Sequence, residues 1–266
     1  MNRRATALLL AVLAITACRK GGSSVAELLG ISDKPAPHAM AIDILCDPSR
    51  GSTCTAATLR RVLSEALKHA TARPGSTVRL WMQGRDVATT CMIAEVTSTV
   101  SKRSGKRARL RYEERWVAAQ MKTLLAAAAP LLSKKQRRSP IAESITRIAL
   151  TGTPTPLPRL LTVITDGLEV SAFADFECGV LPTSKRFIRD LQRNNVLRAG
   201  SLKGMAVDFC DVDIAPIDGN RCAVTLRRAG DITNLWSAAI RAAGAERFEI
   251  DRGDLHPQFE SQEKGQ

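Results

Sequence analysis

A chain of 266 residues with 39 Lys and Arg against 26 Asp and Glu carries a formal charge of +13. That length suffices for one domain with a full core, and that charge favours anionic partners over cationic ones. With one Tyr, three Trp and six Phe, the chain has no aromatic platform for stacking single-stranded nucleic acid, which is not expected as a partner.

In chain order, Arg3 and Arg4 precede an apolar stretch from Ala5 to Ile15. It is too short to span a bilayer as a mature helix and is laid out as a secretory signal. The stretch runs into Ile15-Thr16-Ala17-Cys18, which resembles the lipobox of bacterial lipoproteins. The resemblance implies a signal peptide over 1–17, cleavage before Cys18, and a lipid such as palmitate on Cys18 that anchors the protein to a membrane. Arg19 stands where such lipoproteins carry an Asp for inner-membrane retention, so the same resemblance implies the outer membrane. The plainer alternative is an ordinary cleaved signal that a cysteine happens to follow. Residues 18–38 are rich in Gly, Ser and Pro and read as the anchor and a flexible tether. The folded domain is expected over 39–251, with a polar tail over 252–266.

Export also sets the reading of the other cysteines. Cys46, Cys54, Cys91, Cys178, Cys210 and Cys222 are an even set in a compartment that permits disulfides. Three bridges are expected; fifteen pairings are possible, and spacing singles out only local pairs such as Cys210 with Cys222. The absence of a Cys-x-x-Cys and the scatter of His38, His69 and His256 argue against zinc.

Residues 39–46 (AMAIDILC) predict a strand, and Leu59, Val62, Leu63, Ala66, Leu67 and Ala70 recur at helical spacing until Arg73-Pro74-Gly75. Residues 77–84 predict a second strand and 88–98 a third, after a turn at Gly84-Arg85-Asp86. Val117, Met121, Leu124, Leu125 and Ala128, with Trp116 beside them, line a helix expected to end before Pro130, and a short helix follows over about 139–150. In the segment 160–170 (LLTVITDGLEV), Leu160, Leu161, Val163 and Ile164 lack polar alternation and read as a strand buried on both faces, which runs straight into Thr165-Asp166-Gly167. A helix bearing Phe187, Ile188 and Leu191, a strand over 203–212, a helix capped by Asp231 and stopped by Gly244, and a strand over 246–250 complete the series. This alternation predicts an α/β fold, a doubly wound and mainly parallel sheet with helices on both faces.

Between 101 and 138 the chain places twelve Lys or Arg against Glu113 and Glu114. The segment is either a solvated basic loop or a surface for an anionic envelope polymer or lipid headgroups.

In a doubly wound sheet the first strand lies near the middle, and its C-terminal end faces the same edge as the end of the 160–164 strand. The first strand is followed by Asp47, Ser49 and Ser52, the later one by Asp166. Carboxylates and hydroxyls converging at one edge suit a hard divalent cation such as Mg²⁺. Each residue also has a plain local use: Asp166 as a turn residue, Asp47 and Ser49 as turn caps, Ser139 as an N-cap with Pro140 behind it.

"DPSRGS" (47–52), "RSPIAESI" (138–145) and "VITDG" (163–167) together resemble the von Willebrand factor A family. The resemblance covers about 39–251 and includes the Leu-Trp and Ala-Gly-Ala stretches at 235–236 and 243–245. It implies a metal-ion-dependent adhesion site on Asp47, Ser49, Ser52, Ser139 and Asp166, and a partner protein that completes the ion's coordination with an acidic side chain. Two departures stand out. The first motif is Asp-x-Ser-x-x-Ser, leaving either Ser52 or Gly51 at its third position, and Ser139 replaces Thr with an equivalent hydroxyl.

The chain is therefore expected to be a binding protein of the cell envelope and not an enzyme. A metal-independent scaffold is the alternative. A metal-dependent hydrolase is disfavoured, because no histidine lies near these motifs and neither a Gly-x-Ser-x-Gly elbow nor a Gly-rich phosphate loop is present. Asp211 and Asp213 read as loop acids.

Overall fold

A computed structural model describes residues 38–99, 105–151, 157–210, 212 and 225–250. The expected signal, Cys18, the tether, the polar tail, His256, Cys222, Asp211 and Asp213 lie outside the described residues, as do Lys102 and Arg103 of the basic segment. The described residues belong to one compact unit that begins at His38.

Six strands form one sheet: β1 (Ala41–Cys46), β2 (Thr77–Met82), β3 (Cys91–Thr97), β4 (Arg159–Ile164), β5 (Met205–Cys210) and β6 (Arg247–Ile250). Their spatial order is β3-β2-β1-β4-β5-β6. All neighbours pair in parallel except β2 with β3. The order reverses between β1 and β4, so the switch point of this doubly wound sheet lies where Asp47 and Asp166 emerge.

Five helices are described: α1 (Ala56–Ala72), α2 (Lys106–Leu132), α3 (Ile141–Thr151), α4 (Ser184–Arg193) and α5 (Leu226–Ala242). Because successive strand residues face opposite sides, the central strands feed two cores. Ile42, Ile44, Val78, Leu80 and Leu160 pack with Leu59, Leu63, Leu67 and Leu124 of α1 and α2. Leu45, Trp81, Leu161, Val163, Val207 and Phe209 pack with Ile141, Ile145, Phe187, Ile232 and Trp236 of α3, α4 and α5. The result is three layers, helix on sheet on helix, as the alternation of elements predicts. Both faces are covered, which is why β1 is buried at all six positions and shows no polar alternation.

Asp43 is the one charged residue in β1 and it is wholly buried. Arg79 Nη2 and Arg159 Nη2 donate to its Oδ2 at 3.1 and 3.0 Å, and Trp81 Nε1 donates to Oδ1 at 2.8 Å. The carboxylate is fully paired, the condition under which a charge survives burial.

Three sequence expectations are corrected. Pro130 lies inside α2, two residues before its end, where its missing N–H costs only one bond of the last turn. The last helix starts at Leu226, five residues ahead of Asp231, because the Thr225 hydroxyl accepts from Arg228 N at 3.2 Å and supplies the cap. It does stop at Gly244, whose φ of 89° suits glycine. As expected, β4 ends at Ile164 and the chain turns at Asp166-Gly167. Finally, three bridges do not form among the six cysteines: Cys46 pairs with Cys54, Cys178 is also disulfide-bonded, and Cys91, on the antiparallel edge strand, is an exposed free thiol.

Candidate functional site

The register explains why distant residues meet. Cys46 is paired with Met82 on one side and Ile164 on the other, so Asp47, Gln83 and Thr165 form the next row, just past the ladder. Backbone bonds continue into that row, from Asp47 N to Ile164 O at 3.1 Å and from Gln83 N to Cys46 O at 2.9 Å. By the two-residue alternation the three side chains leave the sheet on the α3 side.

Asp47 is the hub of this row and is completely buried. Its Oδ2 accepts from Ser139 Oγ at 2.7 Å and from Thr165 Oγ1 at 2.9 Å. Its Oδ1 accepts from Ser49 N at 2.9 Å and Gln83 Nε2 at 3.0 Å. Asp166, buried beside it, accepts from Leu168 N at 2.9 Å in a tight turn. Gly167 holds φ at 79° in that turn, and Trp236 Nε1 of α5 donates to its carbonyl at 2.9 Å. Trp236 of the last helix thus braces the loop that carries Asp166.

Burial is the main force on both acids. It raises the Asp47 carboxyl above its usual range against the opposing donors Ser139, Ser49 and Thr165. Burial first, and then the charge of Asp47, push Asp166 up to about 8. Two carboxyls in one dry pocket do not both ionise readily without a counter-charge.

The loop from Asp47 to Thr53 is held at both ends. The Cys46–Cys54 disulfide closes it, with Cα atoms 5.7 Å apart, and both cysteines are buried. Gly51, at φ 86°, absorbs the extra residue of the motif in a left-handed turn. Ser52 Oγ accepts from Cys54 N at 3.1 Å within that turn. Across the loop, Arg50 N donates to Gln136 O at 2.9 Å and Gln136 N to Pro48 O at 3.2 Å.

Ser139 does not act as the cap of α3 through its side chain, because its hydroxyl points at Asp47. The first turn of that helix is served from a distance: Glu169 Oε2 accepts from Ala142 N at 3.0 Å. Burial pushes the Glu169 carboxyl up to about 8 despite donors from Ser171, Ala142 and Ile141.

Of the five expected site residues, Asp47, Ser49, Ser139 and Asp166 share one rim, with Ser49 reaching Asp47 through its backbone N–H. Ser52 lies at the same loop with its hydroxyl turned to Cys54. Sequence reading missed Thr165 and Gln83, and the signal for both is the register row one step beyond the last strand pair. Among the described residues no three His, Cys, Asp or Glu side chains cluster as metal ligands. The available donor set is two carboxyls and hydroxyls, hard oxygen donors of the kind Mg²⁺ takes, beside an amide that presents its NH₂ to them.

No family model matches the chain, and no curated protein does. Solved structures of similar arrangement include the conserved hypothetical protein BatB from Bacteroides thetaiotaomicron, at 13% identity over 84% of this chain and 95% of that one, with a TM-score of 0.45. An aerotolerance-related membrane protein from Bacteroides fragilis shares 14% identity over 85% and 96% of the two chains, TM-score 0.41. The ArnB paralog VWA2 from Sulfolobus acidocaldarius shares 12% over 66% of this chain and 35% of that one, TM-score 0.36. At this level of similarity nothing of those proteins' roles transfers to the present chain.

Proposed function

We propose that this chain is a von Willebrand factor A-type binding protein of the bacterial envelope, tethered by a lipid on Cys18, that captures a partner protein through a divalent cation at the β1–β4 edge. The observation that carries this reading is the convergence of Asp47, Ser139 and Asp166, buried at the switch point of the sheet although Asp166 lies 119 residues beyond Asp47. Asp47, Asp166 and the hydroxyls of Ser49 and Ser139 are the groups to hold Mg²⁺, with Ser52 nearby. The ion supplies the positive charge that lets both carboxyls ionise, and an acidic side chain of the partner completes its coordination.

Adhesion suits the site better than catalysis. A hydrolase needs a group to take a proton from water; the described histidines lie elsewhere, His38 before β1 and His69 Nε2 3.1 Å from Met40 Sδ at the opposite end of that strand, and the site's own carboxyls, which could serve as bases, are the groups the proposed cation engages. Anchoring is proposed from the first residues alone; among the described residues no helix is long and apolar enough to cross a membrane.

Calorimetric titration of the purified protein with Mn²⁺ tests the reading. One ion is expected per chain, with uptake lost in both Asp47→Ala and Asp166→Ala while each variant keeps its far-ultraviolet spectrum. Absence of uptake by the unaltered protein overturns it in favour of a metal-independent scaffold.

A further inference from the structure

Gln83 holds a place in this site that none of the three sequence motifs assigns. It is 1% exposed and stands in the same row as Asp47. Its Nε2 touches two of the proposed ligands at once, donating to Asp47 Oδ1 at 3.0 Å and to Ser139 Oγ at 3.2 Å. Its Oε1 is buried with no hydrogen-bond partner. A side-chain amide normally satisfies both ends when buried, so this one is held at its nitrogen end alone.

We propose that Gln83 is a cation ligand of this chain, binding through Oε1 after a half-turn of its amide, and that in the cation-free protein its NH₂ bridges Asp47 and Ser139 in the ion's stead. This rests on the cation reading given above. A half-turn about the last side-chain bond exchanges Nε2 and Oε1 with little change in shape, which is why the two are interchangeable to packing and distinguished only by their partners. The oxygen would then lie about 3 Å from both Asp47 Oδ1 and Ser139 Oγ. Adjacent oxygens of an octahedron with metal–oxygen bonds of about 2.1 Å are about 3 Å apart, so the spacing already present is that of neighbouring ligands around Mg²⁺. Without the ion, Asp47 Oδ1 and Ser139 Oγ both accept at that place, and the amide turns its nitrogen inward to donate to them. The backbone is set for the exchange: Gln83 N is bonded to Cys46 O, and Gln83 O accepts from Gln136 Nε2 at 3.0 Å, so only the side chain has to move.

Mn²⁺ and Mg²⁺ titrations of the full chain, comparing Gln83→Leu and Gln83→Glu with the unaltered protein, test the assignment. Gln83→Leu keeps the volume and removes the oxygen; affinity should fall by about tenfold or more. Gln83→Glu restores an oxygen with added charge and should bind at least as tightly as the unaltered protein. In ¹⁵N-edited spectra the side-chain NH₂ pair missing from Gln83→Leu should shift when Mg²⁺ is added to the unaltered chain, as its two acceptors are withdrawn. If the unaltered chain binds Mn²⁺ and Asp47→Ala abolishes it, but Gln83→Leu binds equally or more tightly, the amide is a plug and the ligand assignment is wrong while the cation site stands. If the unaltered chain takes up no cation, both fall together.

Discussion

Single buried acids set the chemistry of this protein, and Glu169 shows how one can be read through stability. Its carboxyl is raised to about 8 by burial, against 4.5 for a free glutamate. The folded protein therefore keeps a proton that the unfolded chain releases above about pH 4.5. Stability contributed by this group is present below pH 4.5 and is lost as pH climbs towards 8. Glu169→Gln should flatten that decline, recovering on the order of a few kcal/mol at pH 9 and changing little at pH 4. Urea unfolding in chelator at the two pH values measures this, and an equal effect of the substitution at both would refute it. The same chemistry explains why the site was only half visible in the sequence. Asp47, Ser139 and Asp166 stand in short motifs that can be read locally. Gln83, Thr165 and Glu169 are defined by what lies across the sheet or at the mouth of a helix, and no local spacing marks such a residue.

At the scale of elements, legibility follows the source of each signal. The alternating strands and helices were readable because burial on both faces of the sheet gives β1 and β4 their continuous apolar runs, and α1 its 3.6-residue stripe. Boundaries were less so: α5 starts at a Thr225 cap that a lone hydroxyl hardly advertises, and α2 passes through Pro130. Only Leu124 and Ala128 of α2's 27 residues are fully buried, while Trp116, Val117, Met121, Leu125, Leu131 and Leu132 pack against the core half-buried. Pro130 removes the bond that its N–H would make to the Ala126 carbonyl. Pro130 is also exposed, so Pro130→Ala should raise stability by up to about 3 kcal/mol without disturbing the core. Thermal unfolding checks the sign, and a lower midpoint would mean that the proline fixes the geometry of the loop leading to Ser139.

At the scale of the whole molecule, the basic segment sets one group of four charges in the first turns of α2 and another just beyond its end. β3 runs against β1 and β2, so its end lies where they begin, and Tyr112 of α2 bonds Thr99 just past that end at 2.7 Å. A helix of 27 residues is about 40 Å long, which carries the chain from there to the site's edge. Lys106, Arg107, Arg109 and Arg111 are therefore at the far edge, whereas Lys134, Lys135, Arg137 and Arg138, all exposed, flank Gln136 where it bonds Pro48 and Arg50. Charges fall off within about 8 Å at physiological salt, so of the two groups only the second could act on a partner at the proposed site of Asp47 and Asp166. Neutralising that quartet to Gln should slow association with a polyglutamate-coated surface several-fold at low salt in Mg²⁺, while the same change at the first group leaves the rate nearly unaltered. The difference should vanish at about 1 M salt, where screening reaches only about 3 Å. The reverse ranking would place polyanion capture on the outer turns of α2 and detach the basic segment from the cation site altogether.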